Sequence, residues 1–181
     1  MNRRVTALIV GALGFVLGSV STEVARGQNG DKLEGSLQHL GFAVRDIDKA
    51  SKDFGEAFGV QVPKPTIVRD IAWGPSYGNR KMNAKVVQFV VAGIRFELLE
   101  GFDGDSPWKD HIAKHGEGLH HIGITVPDVK ATREMLLARG GKWTQNYLPT
   151  MSYVDLEPRL PFTIEVMAPL SQQAPPAGGN R

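Results

Sequence analysis

The sequence contains no cysteine, and this absence removes two classes of site. Disulfide bonds cannot form, and thiolate metal centres are excluded. Any metal ion must therefore be held by histidine, aspartate or glutamate. The chain also lacks a strong net charge, because it has 21 basic and 19 acidic residues, and it contains no basic run. The composition therefore gives no electrostatic reason to expect binding to nucleic acid.

The N-terminal segment has the features of a secretory signal peptide. A basic start, Met1 to Arg4, precedes an apolar run over residues 5–20, and the small residues Ala25 and Gly27 follow. We expect residues 1–27 to be a signal peptide, so that the protein is exported, to the periplasm or the medium. The apolar run is short compared with the roughly 20 residues of a membrane span. An uncleaved N-terminal anchor is the alternative, and it would bring the protein to a membrane.

The rest of the chain contains an internal repeat. Residues 39–47 (HLGFAVRDI) and 121–129 (HIGITVPDV) share the pattern H-φ-G-φ-x-V-x-D-φ, where φ is apolar. Residues 94–99 (IRFELL) likewise match residues 162–167 (FTIEVM). Each half reads β-α-β-β-β, and such repetition is a strong signal of organisation. The sequence therefore predicts an α+β fold of two βαβββ modules.

The predicted boundaries follow from the repeat and from turn and cap residues. The first module covers residues 37–101, a linker helix covers 102–118, and the second module covers 119–170. The Pro/Gly/Gln-rich residues 171–181 are expected to be disordered. Helices should begin after Asp46, Ser106 and Asp128, which are typical N-cap residues. An edge strand is expected over residues 60–68, a long loop over 70–83, and a hairpin turn at 92–93.

The repeat returns one histidine and one glutamate from each module. These are His39 and Glu97 in the first module, and His121 and Glu165 in the second. Two imidazoles and two carboxylates suit a divalent ion such as Zn, Ni, Co, Mn or Fe. The alternative is that each is a buried polar side chain satisfied by other protein groups. The matched pairs favour a shared metal site.

Three further histidines are assigned lesser roles. His111 and His115 stand one helical turn apart and could hold a metal ion. No carboxylate partner is evident, so we expect a solvated helix face shared with Lys109 and Lys114. His120 precedes His121 on a strand and should therefore point to the opposite face of the sheet.

Several stretches resemble a known superfamily. Residues 97–100 (ELLE), 105–107 (DSP) and 114–122 (KHGEGLHHI) are similar to methylmalonyl-CoA epimerases. With the two H-φ-G strands, they make residues 37–169 resemble the vicinal oxygen chelate superfamily, which also includes glyoxalase I, extradiol dioxygenases and bleomycin-resistance proteins. The resemblance implies a curved, half-barrel sheet. By analogy with this superfamily, we expect a homodimer.

The resemblance also implies a chemistry. The four residues His39, Glu97, His121 and Glu165 match the ligand pattern of bacterial-type glyoxalase I. A metal would hold a carbonyl or enediolate oxygen of a small substrate with vicinal, 2-oxo or carboxylate oxygens. Glu165 would remove the proton α to that carbonyl, with Glu97 as its partner. The expected function is therefore an exported metal-dependent isomerase, epimerase or lyase.

The sequence departs from the epimerase pattern at two places. The third strand of the first module offers neutral Gln88 where some epimerases place a second base. The loop over residues 70–83 is long, and its Trp73, Tyr77 and Arg80 are candidates for contacts with the substrate.

Two other functions remain open at this point. Ring-cleaving Fe(II) dioxygenases use two histidines and one carboxylate, and a fourth ligand at Glu97 argues against them. A non-enzymatic binding or resistance protein would use the same cleft without chemistry. Acyl-CoA thioesters belong to the cytosol, so an exported enzyme would need a different substrate from the epimerases.

Overall fold

The computed structural model describes residues 32–72, 81–146 and 150–172, which form eight strands and three α-helices. All of these elements belong to one compact unit, which begins at Leu33. No helix in these ranges is long and apolar enough to cross a membrane. The elements are β1 (Ser36–Ala43), α1 (Ile47–Phe58), β2 (Thr66–Ala72), β3 (Lys81–Val91), β4 (Ile94–Gly101), α2 (Pro107–His115), β5 (Gly118–Thr125), α3 (Val129–Ala138), β6 (Lys142–Asn146), β7 (Met151–Asp155) and β8 (Thr163–Met167).

The strands form one curled, mixed half-barrel sheet in the order β2-β3-β4-β1-β5-β8-β7-β6. The two first strands, β1 and β5, pair antiparallel at its centre. Each of them also pairs parallel with the last strand of its own module, β4 or β8. The sheet is thus two copies of the same βαβββ arrangement joined through their first strands. The predicted fold class is confirmed.

The helix starts follow the predicted caps. Oδ1 of Asp46 accepts a 2.9 Å hydrogen bond from the amide of Lys49, and Asp128 caps α3 in the same way. Ser106 caps α2, with Pro107 in the first turn, where a missing amide hydrogen costs nothing. Such a cap contributes about 1 kcal/mol, so caps set the ends of helices and do not hold the fold together.

The fold is held by apolar residues beneath α1 and α3, on the face of the sheet that we call the outer face. A fully buried aliphatic side chain contributes about 1.5–3 kcal/mol, which outweighs any single cap. Leu98 of β4 packs under α1, and Ile164 and Val166 of β8 pack in the cluster under α3. Because side chains alternate along a strand, Glu97 and Glu165 point to the opposite, inner face. The inner face also carries α2, whose Trp108 and Ile112 pack on the first module.

One strand lies further along the chain than predicted. The strand expected over residues 60–68 begins at Thr66 and ends at Ala72. Pro63 and Pro65 lack amide hydrogens for the ladder, which accounts for the late start. The strand is an edge strand, as expected. The hairpin turn lies at Ala92 and Gly93, both of which have positive φ.

Candidate metal centre

The four side chains from the repeat meet on the inner face, where the two modules join. Nε2 of His39 lies 2.7 Å from Nε2 of His121. Oε2 of Glu165 lies 2.9 Å from the first of these nitrogens and 3.3 Å from the second. Oε2 of Glu97 lies 3.6 and 3.5 Å from them. All four residues are buried. The structure thus brings the four predicted residues together, while their role as ligands stays a prediction.

The glycines of the H-φ-G pattern make room for the histidines of the other module. In the central strand pair, Gly41 stands opposite His121, and Gly123 stands opposite His39. A Cβ atom on Gly41 would lie 2.0 Å from Cε1 of His121, and one on Gly123 would lie 2.3 Å from Cε1 of His39. Each imidazole therefore lies directly over the partner glycine. The repeated motif couples the two modules, because each one supplies a ligand candidate and the space for the other.

Two bulges orient the imidazole rings. The pairing of β1 with β5 passes over Gln38 in one strand and His120 in the other. The Oε1 atom of Gln38 accepts a short hydrogen bond from Nδ1 of His39. Nδ1 of His120 lies 3.0 Å from Nδ1 of His121. A bulge can re-aim a side chain in this way. Each histidine therefore has its Nδ1 held by the preceding residue and its Nε2 aimed at the cluster.

The charges of the cluster depend on each other. Burial alone would lower the pKa of His121, but Glu165 and Glu97 outweigh it and raise that pKa to about 9. Burial would raise the pKa of Glu165, but His121 and His39 hold it well below its usual range. At neutral pH, His121 is therefore an imidazolium beside ionised Glu165. Burial lowers the pKa of His120 well below its usual value, so this ring is neutral and its Nδ1 can accept from His121.

Each carboxylate has a polar neighbour on the adjacent strand. Gln88 is paired with Glu97, and its Nε2 donates a 2.6 Å hydrogen bond to Oε1 of Glu97. Tyr153 is paired with Glu165, and its ring packs edge-on against His121, with ring centroids 5.3 Å apart. Burial, followed by the negative charges of Glu165 and Glu97, raises the pKa of Tyr153 well above its usual value. The phenol therefore keeps its proton.

The donor set fits a divalent metal ion. Ligand atoms of His39, Glu97 and His121 all lie within 4.8 Å of one another. Oε2 of Glu165 is buried, and its polar neighbours include Nε2 of His39 and Nε2 of His121, at 2.9 and 3.3 Å. A buried carboxylate needs a compensating positive charge, which a metal ion would supply in place of the His121 proton. At neutral pH, the proton on His121 contributes a positive charge beside the two carboxylates. A metal ion that displaced this proton would meet ligands of the imidazole and carboxylate type.

Comparison with known proteins agrees with this geometry. Residues 38–152 match the family model of the glyoxalase/bleomycin resistance protein/dioxygenase superfamily, which is more than half of the chain. The chain belongs to this superfamily. The resemblance predicted from the sequence is confirmed.

Similar proteins include epimerases from this superfamily. The chain is 28% identical over 141 residues to mitochondrial methylmalonyl-CoA epimerase of Mus musculus, which covers 71% of this chain and 72% of the relative. It is 27% identical over 109 residues to ethylmalonyl-CoA/methylmalonyl-CoA epimerase of Cereibacter sphaeroides, which covers 60% and 73%. These relatives indicate an enzyme of this superfamily.

Solved structures confirm the superfamily fold. A hypothetical protein of Bacillus halodurans C-125 has a TM-score of 0.56 at 20% identity and covers 78% of this chain and 99% of its own. A variant of Streptomyces coelicolor methylmalonyl-CoA epimerase, in complex with 2-nitronate-propionyl-CoA, has a TM-score of 0.53 at 18% identity. It covers the same shares of the two chains. At such identities the likeness concerns the fold.

Some predictions for the site are not tested by the structure, and one is wrong. Trp73, Tyr77 and Arg80 lie outside the described residues, so their predicted contacts with a substrate stay predictions. The prediction that His120 points away from His121 is wrong, because the bulge brings their Nδ1 atoms together.

The sequence also missed partners that come from distant segments. The helix face with His111 and His115 does have a carboxylate neighbour, Glu157, 42 residues from His115. Tyr153 was missed because it lies 12 residues before Glu165, whereas Gln88 lies nine before Glu97. The two hairpins differ in length, so aligning the repeats does not match these two residues.

Proposed function

We propose that the protein is a metal-dependent isomerase or epimerase that moves a proton α to a carbonyl, or a lyase that uses the same step. The observation that carries this proposal is Oε2 of Glu165. This oxygen belongs to an ionised carboxylate, is buried, and lies within 3.3 Å of the Nε2 atoms of both imidazoles. Once a metal ion displaces the proton of His121, this oxygen can bind the ion or take up an acidic hydrogen of a substrate.

A divalent ion held by His39, Glu97, His121 and Glu165 would act as a Lewis acid that polarises the substrate carbonyl. Polarisation acidifies the α-hydrogen, so that a carboxylate of ordinary basicity can remove it. Glu165 takes up this proton and returns it to the same carbon or to a neighbouring one. The low pKa of Glu165 rises when His121 loses its proton, because that imidazolium is the main group that lowers it.

The other residues position these groups. Gln88 holds one oxygen of Glu97, so the second oxygen keeps a fixed direction. Tyr153 lies beside Glu165 and retains its proton, so it can donate a hydrogen bond to the carboxylate or to a substrate oxygen. Burial of the cluster keeps bulk water away, and this strengthens each electrostatic contact.

The substrate and the cellular location are part of the proposal. The similar epimerases are named for acyl-CoA substrates. Residues 1–27 have the pattern of a signal peptide, and acyl-CoA thioesters belong to the cytosol. We propose an exported enzyme whose substrate is a small oxo or carboxylic acid. Fractionation of cells, with an antibody to the chain, tests the location. A homodimer also stays a prediction, and its test is the mass in solution.

Isotope exchange tests the chemistry. The protein is stripped of metal, loaded in turn with Zn, Ni, Co, Mn or Fe, and incubated in D₂O with 2-oxo acids, 3-oxo acids and methylmalonyl-CoA. Proton NMR should show loss of the α-hydrogen signal with at least one metal, and the loss should stop in Glu165→Gln. Exchange that is absent with every metal, or unchanged in Glu165→Gln, contradicts the proposal.

A ferrous dioxygenase is the second candidate, because His39, His121 and Glu97 form a set of two histidines and one carboxylate. Glu165 argues against it, since its Oε2 is close enough to fill a position that oxygen would need. Oxygen uptake by the iron-loaded protein with catechols decides between the two. Uptake that persists in Glu165→Gln favours the dioxygenase. A protein that binds no metal after reloading favours the non-enzymatic binding module.

A further inference from the structure

A second group of potential ligands lies on α2, outside the four-residue cluster. His111 and His115 are one helical turn apart, and their ring centroids are 5.0 Å apart. Nε2 of His115 lies 2.5 Å from Oε1 of Glu157, in the turn after β7. Two histidines four residues apart on a helix, with a carboxylate from elsewhere in the chain, form a common zinc-binding arrangement.

The spacing of the rings suits a shared ion. With metal–nitrogen distances of about 2.1 Å, two imidazoles bound to one tetrahedral ion have ring centroids roughly 5 Å apart. His111 and His115 already have this separation. His111 must turn toward Glu157 for all three side chains to reach one ion. It is half-buried and borders a cavity, so the ring has room to turn.

Glu157 is ionised and held in position, as a metal ligand would be. Its Oε2 contacts Lys114, while Oε1 faces His115. The hydrogen bond from Lys114 is the main cause that lowers the pKa of Glu157, so this carboxylate is ionised at neutral pH. Carboxylate ligands of metals are usually held by a hydrogen bond to their other oxygen, as Lys114 holds this one. The charge of Lys114 also opposes a cation, which provides a test.

The cavity beside these residues can supply water ligands. Its volume is about 230 Å³, and its lining includes His111, His115 and Glu157. A water molecule occupies about 30 Å³, so several can be accommodated.

The lining of this cavity also includes His120 and Tyr153, both of which contact His121 of the first cluster. The two groups of ligands are therefore neighbours, separated by these two rings.

We propose that His111, His115 and Glu157 form a second site for a divalent metal ion of the zinc type. An ion there would tie the linker helix α2 to the segment after β7, in the second module. The site is independent of the reaction proposed above, because it shares no ligand with the first cluster.

Counting bound zinc tests the proposal. The untagged full-length chain is stripped with a chelator and dialysed against Zn²⁺, and bound zinc is measured by mass spectrometry of the element. We expect two ions per chain in the wild type and one in the H111A/H115A variant. The H39A/H121A variant should also bind one ion, and this ion should be lost when the four substitutions are combined. Circular dichroism checks that each variant is folded.

Two further variants, D110A and K114Q, test whether the loss of zinc is specific to the proposed ligands. D110A changes another residue of the same helix and cavity, and it should leave two ions bound. K114Q removes the cation that competes for Glu157, and it should tighten the second site by up to about fivefold.

The second site is overturned if H111A/H115A binds as many ions as the wild type. If H39A/H121A does not fold, the comparison of wild type with H111A/H115A still decides. A count of one in the wild type that falls to zero in H111A/H115A would support the second site and contradict metal binding by the first cluster, so the two proposals fail separately.

Discussion

The two modules contribute the same types of side chain to the site, but they hold their carboxylates differently. In the first module, Gln88 donates a 2.6 Å hydrogen bond to Oε1 of Glu97. In the second, the cross-strand neighbour of Glu165 is Tyr153, and Oε2 of Glu165 faces Nε2 of His39 and Nε2 of His121. The side chain of Glu97 is 12% exposed and that of Glu165 is 2% exposed.

This difference separates a carboxylate held by a neutral amide from one held by the two imidazoles. An amide hydrogen bond fixes the orientation of Glu97 and occupies one of its oxygens. Glu165 is more deeply buried and faces ring nitrogens that a bound metal ion would take up, which would release its oxygen to act as a base. A duplicated fold can therefore keep both ligand positions and still give its two halves different roles. Glu97 would hold the ion, and Glu165 would hold it and also react.

The largest expected difference between the modules is in catalysis. With metal at saturation, Glu165→Gln should lower the rate of α-proton exchange by about 10²–10⁴-fold, the usual contribution of a general base. Glu97→Gln keeps an oxygen ligand and the base, and should lower it by roughly tenfold, as expected for a change near the metal. NMR exchange rates, with the bound metal measured in each sample, give the comparison. Equal losses would mean that the modules do not differ in role.

The glycines provide the next test, in which the modules should behave alike. Gly41→Ala forces His121 to turn, and Gly123→Ala forces His39 to turn. Each change should weaken zinc binding by at least about tenfold. Each should also lower the free energy of unfolding by about 1–3 kcal/mol, as overpacking does. Ile122→Val, on the same strand as Gly123, is the control. It should affect stability alone, by about 1 kcal/mol. Normal zinc affinity in either alanine variant would show that the rings do not depend on the glycines.

Much of this arrangement could be predicted because duplication leaves a visible pattern. The repeat located His39, His121, Glu97 and Glu165 without any knowledge of contacts, and the caps at Asp46 and Asp128 are local signals. The same pattern predicted the βαβββ modules. These features depend on residue type and on spacing along the chain, which the sequence displays directly.

The missed features depend on pairing between distant segments. A bulge is a mismatch between two strands, so nothing local to Gln38 or His120 marks it. Strict alternation therefore placed His120 on the wrong face. Glu157 reaches His115 across 42 residues, through the packing of α2 beside the second module. Such contacts follow from the assembled sheet, and a single sequence does not show them.

The pH dependence of zinc binding should reveal the proton that His121 carries between the two modules. The pKa of His121 is raised to about 9, and zinc requires the neutral ring. Zinc binding below pH 9 should therefore release one proton from His121, and affinity should rise by up to about tenfold per pH unit. Glu165, whose pKa is lowered, is already ionised and releases none. Calorimetry of the H111A/H115A variant, in buffers of different ionisation enthalpy, counts the protons released at the first cluster. Release of none at pH 7 would contradict the raised pKa.

The same shifts determine the stability of the metal-stripped protein. The folded pKa of His121 lies above its unfolded value, so its contribution is complete below about pH 6.5 and is lost as the pH rises through about 9. The folded pKa of Glu165 is depressed, so its contribution is present above the unfolded value of 4.5 and is lost as the pH falls through the folded value. Urea unfolding should therefore show lower stability at pH 10 than at pH 7. His121→Gln should remove that difference.

The smallest expected change in zinc affinity is that of a conservative substitution at a bulge. Gln38 holds Nδ1 of His39 through an amide oxygen, whereas His120 holds Nδ1 of His121 through a ring nitrogen. If both residues serve only to accept this hydrogen bond, His120→Gln should change zinc affinity by less than about threefold. His120→Leu removes the acceptor and should weaken binding by about 10–100-fold. Nitrogen-15 NMR of the His121 ring, in the metal-stripped protein above about pH 9 where this ring is neutral, adds a readout that packing alone does not explain. The proton should stay on Nδ1 in His120→Gln and lose its preference for that nitrogen in His120→Leu. Similar losses of affinity in both variants would mean that the second module needs an imidazole at its bulge, and that the two modules differ here as well.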